Sequence, residues 1–169
     1  MSEHEERPAE GVPPPWTIEP WDPAHAVAFR DLNVWWLERW FEVEPIDLEV
    51  LGDPEGTLLA HGGEIWFAVA DGRAVGTCAL KDHGDGRFEL TKLGVDPSVH
   101  GGGMGQALSE RIIERFVARA GRVLFLETNT VLTPAIRLYE KLGFVELPNP
   151  VPSPYERSNY YMEWRPEGR

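Results

Sequence analysis

The sequence predicts one mixed α/β domain with a partly parallel sheet. Three observations carry that prediction. Strand-like runs follow one another with tight turns between Ile65 and Val95, helix, strand and helix patterns alternate between Gln106 and Gly143, and two further strand-like runs close the chain. At 169 residues the chain is long enough to close one hydrophobic core and too short for two comfortable domains. Residues 1–15 are acidic and proline-rich with no apolar run, which predicts a disordered arm, and residues 16–169 form the single domain.

Taken in order, Trp16 to Trp21 alternates loosely as a first strand. Asp22-Pro23 then supplies an N-cap followed by proline at the first helical position, so a helix is expected to start there and run to Phe41. Its apolar residues Ala26, Phe29, Leu32, Trp36, Leu37 and Trp40 recur at spacings of three and four, which places Trp36 and Trp40 in the core and leaves Trp35 and Phe41 off the stripe. Pro45 ends this helix, Ile46 to Leu51 is a short second one, and Gly52-Asp53-Pro54-Glu55-Gly56 turns the chain. Ile65 to Ala70 and Ala74 to Leu80 are strands joined by an Asp71-Gly72 hairpin, and a polar turn leads to a third strand from Phe88 to Val95. Gln106 to Ala120 is helical and stopped by Gly121. Val123 to Glu127 is a buried strand, Thr133-Pro134 opens a helix that Gly143 closes, and Phe144–Leu147 and Tyr160–Trp164 are the last strands.

Composition excludes several classes. A formal net charge of −12 argues against nucleic acid or anionic membrane as a partner, since both are bound through excess Lys and Arg; it suits a cationic small molecule or peptide better, and reads equally as an acidic surface that keeps a protein in solution. The longest apolar run, Ile65 to Ala70, is far short of the roughly twenty residues of a membrane helix. The N-terminus lacks the basic start and apolar stretch of a secretory signal, so a cytoplasmic protein is expected. The one cysteine, Cys78, reads as a core residue. The five histidines show no metal-ligand spacing, and no metal is expected.

The informative segment is His100-Gly101-Gly102-Gly103-Met104-Gly105-Gln106, between a strand and a helix. Glycines let backbone N–H groups approach an anion, and a helix N-terminus adds partial positive charge. It is not a P-loop, because Gln106-Ala107 stands where Lys-Ser or Lys-Thr is required. It is not an esterase oxyanion loop, because no Gly-x-Ser-x-Gly elbow exists in the chain. It is not a dinucleotide fingerprint, because Gln106 occupies the place of the last glycine.

His100, Gly103 and Gly105 fit the frame of the first signature of the GNAT superfamily of acetyl-CoA-dependent N-acetyltransferases, with His100 standing where that frame has Arg or Gln. Leu126-Glu127-Thr128-Asn129 and Ala135 to Phe144 (AIRLYEKLGF) are similar to its second signature, and Asn159 to Trp164 resembles its last strand. The resemblance spans Trp16 to Trp164. It implies a mostly antiparallel sheet whose central parallel strands splay apart, with helices on either side, and transfer of an acetyl group from acetyl-CoA to a primary amine by direct attack. It also implies pantetheine along Leu93 and Val95, pyrophosphate on the N–H groups of Gly101, Gly102, Gly103, Met104, Gly105 and Gln106 beside His100, and Asn129 at the CoA arm. Asn129 reads equally as a turn residue, and His100 as a solvent-facing one.

Attack on a thioester requires a proton donor near sulfur and a route for the amine proton. The resemblance makes Tyr139 the donor and Glu89 the base, with Glu127 or a water chain as alternatives; Tyr139 also reads as a helix tyrosine packed on the sheet, and either glutamate as a surface residue on its strand. Acceptor walls are expected from Trp35, Trp36, Trp40, Phe41 and Tyr155, near Glu42, Glu44 and Asp47, while Arg157 is a candidate for a substrate carboxylate. The acceptor is a small-molecule or peptide amine, and the protein a monomer or homodimer. The rival reading is a noncatalytic acetyl-CoA-binding sensor or interaction module.

Overall fold

The computed structural model describes residues 15–99 and 102–167. Residues 1–14 of the expected arm, together with His100 and Gly101 of the glycine loop, lie outside the described residues. Seven strands form one sheet: β1 (Thr17–Pro20), β2 (Glu64–Ala70), β3 (Arg73–Asp82), β4 (Arg87–Val95), β5 (Val123–Thr128), β6 (Phe144–Glu146) and β7 (Tyr160–Trp164). Their spatial order is β1-β2-β3-β4-β5-β7-β6, and only the central β4–β5 pair is parallel.

The helices are α1 (Ala26–Trp40), α2 (Pro45–Gly52), α3 (Pro54–Thr57), α4 (Met104–Ala118) and α5 (Thr133–Leu142). The Asp71-Gly72 hairpin turns with both residues at positive φ, 50° and 74°, the geometry that matches the twist of the flanking strands. Asp22 accepts the Ala24 N–H as predicted, but its cap opens a tight 3-10 turn at Pro23–His25 before α1 proper. Where a plain turn was expected after Gly52, Asp53 caps the Gly56 N–H and nucleates the single turn α3. At the end of α4 the left-handed residue is Ala120 (φ 52°), not Gly121. Gly121 is needed for closeness, since a Cβ there would run into the Phe116 ring.

The sheet is buried on both faces, and its alternation assigns each side chain to one of them. Cys78, Leu80, Leu108, Ile112, Leu124 and Met162 meet between the sheet and α4 and α5, while Ala79, Phe67, Ile65, Phe29, Leu51 and Leu58 meet under α1, α2 and α3. Cys78 is fully buried, as its strand position predicted. Phe29 and Leu37 are buried and Trp35 is 39% exposed, as the stripe on α1 predicted, but Asn33 is buried with them and Trp40 is 47% exposed. The cause is the close approach of α1 to β4, where a Cβ on Gly94 would stand 3.2 Å from the Leu32 carbonyl group. That contact turns the 29-33-37 row onto the sheet and leaves Trp40 outside it. Among the described residues no helix is long and apolar enough to cross a membrane.

Candidate active site

The parallel pair that organises the site is short. β4 pairs with β5 only at Arg87–Val123, Phe88–Leu124 and Glu89–Phe125. On its other edge β4 carries a bulge, because Thr77 and Ala79 of β3 face Gly94 and Thr91, one residue further apart on β4. Lys92 sits in that bulge at a φ of 57°, a left-handed conformation uncommon for a side chain of its size. From Leu90 onward β4 therefore has no ladder partner on its β5 side, and a cleft opens between the strands. Leu93 and Lys92 line it from β4, Leu126 to Thr128 from β5 with Asn129 just after it, Asn33 and Trp36 from α1, and Tyr139 from α5. Tyr155 and Arg157, on the connection between β6 and β7, close its far side.

At the glycine loop, Gly103 is the N-cap of α4 at a φ of 70° and supplies no side-chain cap. The first intrahelical bond is from the Ala107 N–H to the Gly103 carbonyl at 2.9 Å, which leaves the N–H groups of Met104, Gly105 and Gln106 without helical acceptors. Gly102 and Gly103 are exposed. Met104 offers only its backbone, because its side chain is buried over Gly76, where an added Cβ would lie 2.7 Å from its sulfur. The Gln106 side chain is engaged by Glu110 and Lys141, each at 2.9 Å. Val95, past the bulge and paired with Gly76, borders a separate groove with Trp35 and Pro97, so of the two predicted strand residues only Leu93 lines the cleft.

Glu89 is buried at the last paired position of β4 and lines the cleft, with Oε1 2.8 Å from His83 Nε2. Its Oε2 has no hydrogen-bond partner among the described residues. Tyr139 is buried, with its ring against Phe144 at 5.8 Å. Its hydroxyl has no hydrogen-bond partner among the described residues, and burial, with Cys78 adding to it, pushes it well above the usual tyrosine range. Glu127 is held by Asn149 at 3.0 Å and Ser153 at 2.5 Å, so both its oxygens are occupied. Asn129 accepts the Val131 N–H at 2.9 Å and donates to the Arg157 carbonyl at 2.7 Å, closing its own turn and bracing the β6–β7 connection.

Beside these lies an ion cluster that the sequence reading did not assemble. Asp47 is fully buried and accepts two bonds from Arg157, at 2.6 and 2.7 Å. Arg157 also reaches Glu44 at 3.1 Å. Lys92, its side chain 6% exposed, places Nζ 3.4 Å from Asp47 and donates to the Tyr155 hydroxyl at 2.9 Å. Burial works to raise the Asp47 carboxyl, but Arg157, the Glu44 N–H and Lys92 outweigh it and hold it below the usual carboxylate range. Burial lowers Lys92, with Asp47 opposing. Tyr155 is pushed up to about 12 by burial and then by the charges of Glu89 and Asp47.

Arg157 thus commits Nη1 and one Nη2 donor to Glu44 and Asp47, while Trp36, Phe41 and Tyr155 line the cleft and the exposed Trp35 and Trp40 do not. The available signal for Lys92 was a second charge, after Glu89, inside the strand run Phe88 to Val95.

A splayed parallel pair, a bulged strand and a glycine-capped helix together define a cleft-bearing mixed α/β domain. The acetyltransferase (GNAT) family model matches residues 20–144, and the chain belongs to that family. The chain is 37% identical over 84 residues to human N-acetylaspartate synthetase, covering 49% of this chain and 28% of that protein. It is 33% identical over 119 residues to a mycothiol acetyltransferase of Thermomonospora curvata, covering 70% and 34%. The chain therefore spans about a third of the length of the curated relatives it matches. A GNAT-family acetyltransferase structure from Staphylococcus aureus superposes with a TM-score of 0.79 at 19% identity, covering 90% of this chain and 99% of that one. A Salmonella typhimurium acetyltransferase with its cofactor acetyl-CoA gives 0.68 at 20% identity, covering 91% and 95%. Fold and family thus agree with the sequence expectation.

Proposed function

We propose that this chain transfers an acetyl group from acetyl-CoA to a primary amine by direct attack. The observation that carries the reading is the opening of β4 from β5 immediately after the Glu89–Phe125 pair, with Glu89 and Tyr139 both lining it. The residues present suit acetyl-CoA. Backbone groups of Leu90 to Leu93 that have no β5 partner offer strand-like hydrogen bonds to its amide arm, and the N–H groups of Met104, Gly105 and Gln106, which have no helical acceptors, offer an anion site for its pyrophosphate. Acetyl-CoA supplies an activated acyl group on a good thiolate leaving group.

In this reading Glu89, with one oxygen anchored by His83, takes the amine proton through its free oxygen, and Tyr139 donates to the departing sulfur. The relatives are named for acetylation of different acceptors, so their names support the reaction class and leave the acceptor open. A noncatalytic module is less well supported, because the cleft holds an unfilled carboxylate oxygen and an unpartnered phenol among the described residues rather than an apolar plug.

The test is release of CoA thiol from acetyl-CoA across a panel of amines. Binding without release from any amine would return the module. The glycine loop has its own test. A Cβ at Gly105 meets only Leu138, at an ordinary 3.7 Å, so Gly105→Val is expected to fold. It should weaken acetyl-CoA at least about tenfold by blocking the pyrophosphate, roughly 1.4 kcal/mol. Gly103→Val is the poorer probe, since the φ of 70° adds backbone strain of its own. An unchanged calorimetric titration of folded Gly105→Val removes the loop from the binding site.

A further inference from the structure

The acceptor side of the cleft has a donor whose direction is fixed by the protein. A lysine ammonium has three donors and no acceptor. Lys92 Nζ lies 2.9 Å from the Tyr155 hydroxyl, so at that contact the phenol oxygen must accept, and its own hydrogen must point elsewhere. Among the described residues nothing else accepts that hydrogen, and Tyr155 lines the cleft. The arrangement is rigid. Arg157 and Lys92 lie over the Tyr155 ring at 4.5 and 4.7 Å, and the buried Asp47 anchors both cations. Burial lowers Lys92 and Asp47 opposes it, and with Asp47 at 3.4 Å the contact to Tyr155 is read in the ammonium form. In the same cleft, Glu89 keeps one oxygen without a partner among the described residues, near enough for its charge to act on Tyr155.

The cleft thus presents a buried acceptor for an ammonium and, beside it, an outward-directed O–H donor. Building on the transferase reading, we infer that the acceptor is an amine flanked by a carbonyl or carboxylate oxygen, as in an α-amino acid or a peptide N-terminus, and that Tyr155 donates its hydroxyl hydrogen to that oxygen. Lys92 is the positioning residue, acting through Tyr155. A simple alkylamine satisfies Glu89 and leaves the Tyr155 donor unfilled in a desolvated site, which is the situation in which binding sites discriminate most strongly.

The experiment uses matched sets: an amino acid, a dipeptide beginning with the same residue, and the corresponding decarboxylated amine. In the wild-type chain kcat/KM from thiol release is expected to be at least about tenfold higher for the oxygen-bearing members. A preference confined to the dipeptide or to the free amino acid identifies which of the two is the source of that oxygen. Tyr155→Phe should reduce the ratio between members to near one, a change that a merely structural tyrosine would not produce. Equal kcat/KM across each wild-type set, or a loss in Tyr155→Phe that is the same for every member, overturns the inference.

A second measurement depends neither on the variant folding nor on turnover. Calorimetric binding of the N-acetylated products to the CoA-loaded wild-type chain should favour N-acetyl amino acids or N-acetyl dipeptides over the N-acetyl amine, with no amine protonation involved. If no amine releases thiol, the transferase reading fails, and equal binding of these products overturns the inference separately.

Discussion

Arg157→Ala is expected to destabilise the chain by about 3–5 kcal/mol, the range found when one partner of a buried ion pair is removed. Asp47 is fully buried and accepts both of its short bonds, 2.6 and 2.7 Å, from this one guanidinium. With Arg157 gone, Lys92 at 3.4 Å is the remaining side-chain cation, and the Glu44 carboxylate loses its cationic partner and keeps the Glu156 N–H at 3.0 Å. The Arg157 side chain is only 18% exposed, so water does little of the screening that makes surface pairs weak. Urea titration of both proteins measures the loss. A drop below about 1 kcal/mol would mean that water reaches Asp47 and that the cluster is not a dry one.

The pair Asp47→Leu with Arg157→Met separates a net stabilising interaction from an avoided penalty. If most of the loss is the stranded charge, the double variant recovers much of it. The pH dependence has a defined sign. The folded-state Asp47 carboxyl lies below its unfolded value of about 3.9, so its contribution is present above that pH and is lost as pH falls through the depressed folded value. Both variants should therefore lose less stability than wild type on strong acidification.

The frame of this fold was readable in the chain because its punctuation is local. Asp71-Gly72, Thr133-Pro134 and Gly143 each encode a turn or helix end within a few residues, and the structure uses each of them. The tryptophans of α1 were not readable in the same way. A helical stripe gives the apolar face only to within a residue or so, and the contact of Leu32 with Gly94 that selects Phe29, Asn33 and Leu37 is between residues far apart in sequence. The cleft divides along the same line. The glycine loop, Glu89 and Tyr139 sit in contiguous motifs, whereas the Asp47–Arg157–Lys92–Tyr155 cluster joins α2, the bulge of β4 and the β6–β7 connection. Neither the pairing of Asp47 with a residue 110 positions away nor the left-handed Lys92 leaves a local trace beyond a lysine within a strand run.

Tyr139→Phe is expected to lower turnover roughly a hundredfold, about 2.7 kcal/mol of transition-state stabilisation, while acetyl-CoA affinity changes by less than about twofold. The substitution is clean in this structure. The ring packs on Phe144 at 5.8 Å, and phenylalanine keeps that contact. The hydroxyl has no hydrogen-bond partner among the described residues, so its removal strands no buried polar group and should not reduce stability. What is lost is a donor that burial keeps protonated, since desolvation lifts its titration far above any working pH. The defect should therefore be constant across neutral and mildly alkaline pH, whereas a defect in the group that takes the amine proton would change with pH. Measured kcat for folded Tyr139→Phe equal to wild type excludes it as the acid, and a loss that appears only with a lowered melting temperature assigns it to packing.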